Sequence, residues 1–145
     1  MKIIVKENEL KPETFIKLRK YYSNFIEYAK EDVEVALKNT LYSVCVYDGD
    51  KEIGIARVVG DGRICFFIKD VVVHPDYQGK NIGKLIMSYL FKYFAEVAAD
   101  NAYIGLMATP NTEGFYEKFG FIRRPNERYG SGMILYYKRE KQWKE

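Results

Sequence analysis

The sequence predicts an α+β fold in which a mixed, mostly antiparallel sheet of about six to seven strands is flanked by about four helices. Three observations support this prediction. Apolar runs of strand length alternate with helical patterns, turn residues separate the central strands, and one long amphipathic helix joins two apolar strands. Such a crossover is expected to be right-handed, with its two strands parallel. The 145 residues suit one domain, 1–145, with a single core.

The first half of the chain supplies three strands and two helices. A proline, which is favoured at the first helical position, opens the first helix, and Phe15, Ile16 and Leu18 follow at helical spacing. Asp48-Gly49-Asp50 has the residues of a tight turn between the second and third strands. The predicted elements are a strand over 2–6, helices over 12–22 and 31–39, and strands over 41–47 and 53–59.

The second half contains the longest strand and the clearest helix. Asp61-Gly62 turns the chain into a strand over 63–73, and a strongly apolar face predicts a helix over 82–99. This face consists of Ile82, Leu85, Ile86, Leu90, Phe91, Phe94, Val97 and Ala98. Gly120 is typical of a helix C-terminal cap. The remaining predicted elements are a buried strand over 102–108, a helix over 111–119 and strands over 121–123 and 133–138.

Composition and charge exclude several classes of partner. The net charge of +3 is too small to indicate nucleic-acid binding. The apolar start of the chain is too short for a signal peptide and no apolar run has the length of a membrane span, so we expect a cytoplasmic protein without a membrane partner. Cys45 and Cys65 lie in apolar runs without metal-binding or redox spacing, which predicts two buried thiols and no metal; a disulfide between neighbouring strands is the alternative.

The loop between the longest strand and the long helix predicts a ligand. Gly79 and Gly83 allow the backbone to turn with its amides exposed, and the following helix presents a partly positive end. A phosphate-bearing ligand fits this site. A P-loop does not, because three residues separate the glycines where a P-loop has four, and Leu85 follows Lys84 in place of the Ser or Thr that holds magnesium.

The run Gln78-Gly79-Lys80-Asn81-Ile82-Gly83 resembles the acetyl-CoA loop, Gln/Arg-x-x-Gly-x-Gly/Ala, of the Gcn5-related N-acetyltransferase (GNAT) superfamily. Asn81 replaces the central glycine, and Asn is the residue that best tolerates the positive φ such a turn needs. The later run from Thr112 to Phe121 is similar to a second family motif, at the expected distance and in the expected order of elements. The resemblance implies a GNAT fold and an enzyme that transfers the acetyl group of acetyl-CoA to an amine.

The resemblance also assigns residues to the cofactor. The backbone of the strand around Val72 would pair with the pantetheine arm beside a β-bulge, and the loop amides would hold the pyrophosphate. The alternatives are that Lys80 and Lys84 are only solvated charges and that Asn111 caps a helix. The residues expected at acetyl-CoA are Val71, Val72, Val73, Gln78, Gly79, Lys80, Asn81, Ile82, Gly83, Lys84, Asn111 and Tyr116.

Two residues are predicted to be catalytic. Tyr116 occupies the position of the family's tyrosine acid, which would protonate the departing CoA thiolate; the alternative is a ring packed in the core. Phe67 occupies the position of the glutamate base in the histone-acetylating branch, so the resemblance leaves Asp70 as the candidate base or amine-orienting group. The alternative for Asp70 is to bond backbone amides at the bulge. We expect His74 to be a turn residue.

The acceptor is expected to be a primary amine of a small molecule. An aromatic segment that contains Tyr22, Phe25 and Tyr28 would border a closed pocket, or it packs between helices. The loop that follows Arg123 and Arg124 would close over an anionic acceptor, or it carries solvated charges. The alternatives to this function are a protein or peptide N-acetyltransferase and a non-catalytic acetyl-CoA sensor. The resemblance also implies a homodimer.

Overall fold

The computed structural model describes residues 1–139, which belong to two compact units. The first unit spans Met1–Leu106, and the second begins at Met107. Among the described residues, no helix has the length and apolarity needed to cross a bilayer.

The first unit contains one five-stranded sheet and three α-helices. Its elements in chain order are β1 (Ile3–Glu7), α1 (Pro12–Arg19), α2 (Lys30–Lys38), β2 (Tyr42–Asp48), β3 (Lys51–Gly60), β4 (Cys65–Val73), α3 (Ile82–Val97) and β5 (Tyr103–Gly105). The strands lie in chain order; the first four are antiparallel, and β5 pairs parallel to β4. The second unit contributes α4 (Glu113–Glu117). The predicted α+β fold and the parallel crossover pair are confirmed.

Helices cover both faces of the sheet. On one face, Phe15 and Leu18 of α1 and Val33 of α2 join a buried cluster with Ile55 of β3. Because successive strand residues point to opposite faces, Gly54 faces the other side, where a Cβ at that position would lie 3.1 Å from Ile82 and Ile86 of α3. Glycine therefore lets α3 pack closely on β3.

Local turn chemistry sets the register of the central strands. Asp48 pairs with Lys51, so Gly49 and Asp50 form a two-residue hairpin, and Gly49 has a left-handed backbone with φ of +59°. At the next turn, Asp61 Oδ1 accepts hydrogen bonds from the backbone N–H groups of residues 63, 64 and 65 at 2.8–3.0 Å. Both predicted turns are confirmed.

The predicted strands over 121–123 and 133–138 are wrong. Within the described residues, neither segment pairs with another strand, and the predicted strand over 102–108 is reduced to the three residues of β5. A strand requires a hydrogen-bonded neighbour, and apolar composition does not supply one. The side chains of the last segment are largely exposed, Leu135 by 86%.

Two helix ends differ from the prediction. The helix expected over 12–22 ends at Arg19, and the chain continues in turns in which the Tyr22 N–H donates to the Arg19 carbonyl at 3.2 Å. Asn111 is not the helix cap; Thr112 holds that position, and Asn111 adopts a left-handed backbone with φ of +71°. Asn suits both a cap and a left-handed turn, so its type alone does not decide between them.

The two cysteines are free and lie in different environments. Cys45 is buried in the cluster beneath α1, and this burial raises the pKa of its thiol to about 11. The prediction that both thiols are buried is wrong for Cys65, which begins β4 at the end of the sheet and is exposed.

We predict that an aromatic disulfide reagent at about pH 8 modifies one thiol of the folded protein rapidly, since only thiolates react. Cys65→Ser should abolish this fast reaction, and Cys45→Ser should leave it unchanged. Unfolding in guanidinium should release a second reactive thiol in the original sequence. Rapid modification of both thiols in the folded state would contradict the burial of Cys45.

Candidate cofactor site

A β-bulge interrupts β4 at Asp70. Two steps along β3, from Ile55 to Arg57, correspond to three steps along β4, from Val72 to Lys69. Asp70 lies within the extra step and has a left-handed backbone with φ of +57°. An extra residue of this kind bends its strand and changes the direction of its side chain. The predicted bulge is therefore confirmed.

Beyond the bulge, one edge of β4 is open. The His74 N–H donates to the Ile53 carbonyl at 2.8 Å. Because hydrogen-bonded and non-hydrogen-bonded pairs alternate between antiparallel strands, the N–H and C=O of Val73 face away from β3. On their side, β5 pairs with β4 only over the stretch that ends at Phe67. Within the described residues, the β4 edge at Val73 has no neighbouring strand.

The loop between β4 and α3 presents backbone amides. Gly79 and Asn81 have left-handed backbones, with φ of +75° and +65°, and the positive φ predicted for Asn81 is confirmed. The first hydrogen bond of α3 runs from the Leu85 N–H to the Asn81 carbonyl at 3.0 Å. The amides of residues 82–84 precede this bond and have no helical acceptor, and the helix dipole adds a partial positive charge to them. This end of the 16-residue helix suits a phosphate group.

Gln78, the first residue of the loop motif, bonds within the protein. Its Nε2 donates to Tyr22 Oη at 2.8 Å and to the Val73 carbonyl at 3.3 Å. The Tyr22 hydroxyl donates to the same carbonyl at 2.5 Å. The Gln78 side chain therefore closes a small network at the end of β4, a contact that the sequence did not reveal.

The Asp70 carboxylate is paired with two arginines. Oδ1 accepts from Arg19 Nη1 at 2.8 Å, and Oδ2 accepts from Arg57 Nε at 2.7 Å. The Asp70 side chain is only 2% exposed, and the two arginine side chains are 10% and 15% exposed. As an alternative to a catalytic role, the sequence allows bonds from Asp70 to backbone amides of the bulge. In the structure, the carboxylate instead bonds two guanidinium groups. Because the carboxylate is almost completely covered, an amine could reach it only if the side chains around it moved aside.

We define residues 19–28 as the aromatic segment. Arg19, its first residue, connects the ion pair with Asp70 to the rings of this segment and of α1. The guanidinium carbon of Arg19 lies 4.8 Å from the ring centre of Phe15 and 4.9 Å from that of Phe25, and Nη2 donates to the Ile26 carbonyl at 2.9 Å. Beside it lies a cavity of about 230 Å³. The cavity is lined by Phe15, Ile16, Arg19, Lys20, Tyr22, Ser23, Phe25, Ile26, Glu27, Tyr28 and Val33.

His74 behaves as the predicted turn residue. Its Nδ1 accepts a hydrogen bond from the Asp76 N–H at 3.1 Å, which begins the short turn after β4. The imidazole is buried, and its ring centre lies 4.5 Å from that of Tyr21 and 5.7 Å from that of Tyr77.

In the second unit, α4 carries Tyr116. Its ring centre lies 5.1 Å from that of Phe115 and 6.1 Å from that of Phe121. Burial raises the pKa of the Tyr116 phenol above its usual value of 10, so the hydroxyl keeps its proton at neutral pH and can donate it. Further along this unit, Arg123 pairs with Glu117 at 2.7 Å, so this guanidinium already has a carboxylate partner.

The sequence matches the GNAT acetyltransferase domain over residues 39–123, which is more than half of the chain. The chain belongs to the GNAT family. A probable acetyltransferase of unknown function from methicillin-resistant Staphylococcus aureus has a similar structure, with a TM-score of 0.83 and 35% identity over 93% of this chain and 99% of that one.

Two curated relatives match shorter stretches of this GNAT protein. The uncharacterised N-acetyltransferase ycf52 of Pyropia yezoensis is 35% identical over 98 residues, which cover 65% of this chain and 55% of that protein. The glucosamine 6-phosphate N-acetyltransferase of Schizosaccharomyces pombe is 40% identical over 75 residues, which cover 50% of this chain and 65% of that protein. The chain thus spans about half to two thirds of these relatives.

Most of the predicted cofactor residues of this GNAT protein lie in one continuous stretch of the first unit, from Val71 to Lys84, along the open edge and the loop. Asn111 and Tyr116 belong to the second unit, and their roles stay predictions. Lys80 Nζ lies 5.3 Å from the ring centre of Tyr77. Within the described residues, no group of three or more His, Cys, Asp or Glu side chains is placed to hold a metal ion.

Sequence reasoning missed Arg19 and Arg57 as partners of Asp70, which lie 51 and 13 residues away from it. One signal was present. Arg57 lies between apolar residues of a predicted central strand, and a charged side chain in such a place is almost never buried without a partner of opposite charge.

We predict that Asp70→Asn lowers the free energy of unfolding by about 3 kcal/mol, because it leaves two largely buried guanidiniums without a carboxylate. Urea denaturation measures this loss. Asp50→Asn, at an exposed hairpin position, is the control and should change stability by less than about 0.5 kcal/mol. Unchanged stability of Asp70→Asn together with lost turnover would instead indicate the base that the sequence analysis considered.

We predict that Gly79→Ala weakens acetyl-CoA binding about tenfold, because a Cβ at a left-handed position costs about 1 to 2 kcal/mol and the loop would relax away from its binding shape. Calorimetry measures the affinity. Gly49→Ala introduces the same backbone strain at the hairpin between β2 and β3, so it should cost similar stability and leave the affinity unchanged. Equal affinities of the two variants would refute the loop assignment.

Proposed function

We propose that this GNAT protein is an acetyl-CoA-dependent N-acetyltransferase that acetylates a primary amine of a small molecule. The observation that carries the proposal is the open β4 edge followed directly by a loop of left-handed residues and the free amides of α3. An amide-containing pantetheine arm pairs with a strand edge as another strand would, and a pyrophosphate suits a helix N-terminus. The strand edge proposed for the pantetheine arm directly precedes the loop proposed for the pyrophosphate. These two parts of acetyl-CoA are likewise joined directly to each other.

The proposed reaction is direct attack of the amine nitrogen on the thioester carbonyl carbon. A C–N bond forms, the C–S bond breaks, the amine loses a proton, and the CoA thiolate gains one. A backbone N–H of the 71–73 edge would stabilise the negative charge that develops on the carbonyl oxygen. The neutral Tyr116 phenol would donate a hydrogen bond to the leaving sulfur and stabilise its developing charge, a role that the family motif and its protonated phenol support.

Two observations support a small-molecule acceptor. The cavity beside Arg19 is lined by residues of α1, α2 and the aromatic segment, and aromatic rings and charged side chains both border it, so a small polar molecule such as an amine fits its chemistry. In addition, the relative from Schizosaccharomyces pombe bears the name of an enzyme that acts on an amino sugar phosphate. The acceptor of the present protein is thus proposed to be a compact amine that fits this cavity.

The experiment that tests this function measures free CoA thiol released from acetyl-CoA in the presence of candidate acceptors. The panel contains amino sugars and their phosphates, polyamines, arylalkylamines, amino acids and short peptides. Turnover confined to one class of small amine would support the proposal. Turnover with peptides alone would replace it with protein acetylation, and acetyl-CoA binding without turnover would favour a sensor.

We predict that Tyr116→Phe lowers kcat about 100-fold through loss of the proton donor, with little change in acetyl-CoA affinity. Burial raises the Tyr116 pKa above its ordinary value of 10, so the phenol is protonated at neutral pH. The kcat of the original sequence should therefore fall only at a pH above 10, where the phenol loses its proton. Tyr89→Phe, on the partly exposed surface of α3, is the control and should retain full turnover. Normal kcat in Tyr116→Phe would remove this residue from the mechanism.

A further inference from the structure

The aromatic segment is attached to the cofactor strand at three successive points. Arg19 pairs with Asp70 in the bulge, and the Tyr22 hydroxyl donates to the Val73 carbonyl. Tyr21, which lies between Arg19 and Tyr22 in the chain, packs its ring against His74, the residue that follows β4. A stretch of four residues, 19–22, thus contacts both ends of the open edge of β4.

The hydrogen bond from the Tyr22 hydroxyl differs from the other two contacts because it ends on the backbone of the open strand edge. The Val73 carbonyl faces away from β3, and within the described residues its neighbouring side holds no strand, so it would otherwise need water or a ligand. Tyr22 and Gln78 supply its hydrogen bonds at 2.5 and 3.3 Å, and Gln78 also donates to Tyr22. The hydroxyl of Tyr22 therefore connects three parts of the molecule: the strand edge, the start of the cofactor loop and the aromatic segment.

The segment beyond Tyr22 has little regular backbone hydrogen bonding of its own. Its residues are not helical, and the backbone bond from the Phe25 N–H to the Tyr22 carbonyl is long, at 3.4 Å. Tyr22 packs half-buried against the core cluster, and its ring centre lies 6.2 Å from that of Phe25 in an edge-on contact. A displacement of Tyr22 would therefore also displace the Phe25 ring, which lines the cavity next to Arg19.

We propose that Tyr22 is a positioning residue that makes the order of the aromatic segment depend on occupancy of the β4 edge by coenzyme A. A ligand that accepts a hydrogen bond from the outward-facing Val73 N–H and rests on the loop leaves the Val73 carbonyl to Tyr22 and Gln78. Such a ligand restrains Val73 and Gln78, and their shared partner Tyr22 then holds the cavity wall in place. This inference rests on the proposed function, since it requires a CoA ligand at this edge. It does not require that the acceptor be identified.

Amide hydrogen exchange with free coenzyme A as the probe tests the proposal. In the original sequence, saturating CoA should slow exchange in peptides that cover 71–84 and also, by about three- to tenfold, in peptides that cover 21–28. In Tyr22→Phe, which keeps the ring and removes the hydroxyl, CoA should still slow exchange over 71–84 but no longer over 21–28.

Tyr21→Phe is the matched control. It removes a hydroxyl from the adjacent residue while keeping the ring that packs on His74, and it should behave like the original sequence. The measured quantity is the ratio of exchange rates with and without CoA within each variant. A purely structural role for Tyr22 would speed exchange in both states and leave that ratio unchanged.

The outcomes separate this inference from the proposed function. Protection of 71–84 without protection of 21–28 in the original sequence overturns the role of Tyr22 and leaves the cofactor site intact. If CoA protects residues 21–28 of Tyr22→Phe as strongly as it does in the original sequence, the role of Tyr22 is likewise overturned and the cofactor site is unaffected. Absence of CoA protection at every peptide, with no heat of binding in calorimetry, overturns the cofactor site itself and with it this inference.

Discussion

The ion pair between Asp70 and its two arginines holds the geometry on which the candidate site depends. A non-glycine residue in a left-handed backbone is unfavourable by about 1 to 2 kcal/mol, and Asp is among the few residues that accept it. Once the bulge has turned this side chain into a nearly water-free position, its charge must be compensated. Arg57 does so from the neighbouring strand, and Arg19 does so from the end of α1. Bulge, strand pairing and helix position are thus interdependent.

The open strand edge and the phosphate loop follow from the same break in β4. Before the bulge, β4 has neighbours on both sides, and after it β5 no longer pairs. The chain then leaves the sheet through His74 and a short turn, and two left-handed residues direct it into α3. The edge that an extended ligand needs and the helix end that a phosphate needs are consequently separated by about ten residues of chain. This proximity is why a local motif in the sequence indicates the ligand.

The sequence predicted features whose causes are local and missed those whose causes are distant. Gly49 and Asp61 define turns by their own conformational preferences, and the central strands and α3 were predicted within a few residues of their observed ends. Partners at a distance left little trace: nothing around Tyr22 indicates that its hydroxyl meets Val73, 51 residues later. The segment around Leu135 shows the converse error, because a strand-like composition does not guarantee a strand neighbour.

The chemistry of Tyr116 under the proposed function is limited by its own acidity. A CoA thiol has a pKa of about 8.5 and an unperturbed phenol one of about 10, so complete proton transfer from the phenol to the thiolate is unfavourable by roughly 2 kcal/mol. Burial raises the Tyr116 pKa and increases that cost. The same burial strengthens a hydrogen bond from the neutral phenol to a developing negative charge, because water no longer competes. Tyr116 is therefore expected to act mainly by stabilising the thiolate as it forms, and solvent protonates the released coenzyme. A contribution of this kind is substantial but finite, since the thiolate remains a competent leaving group without it.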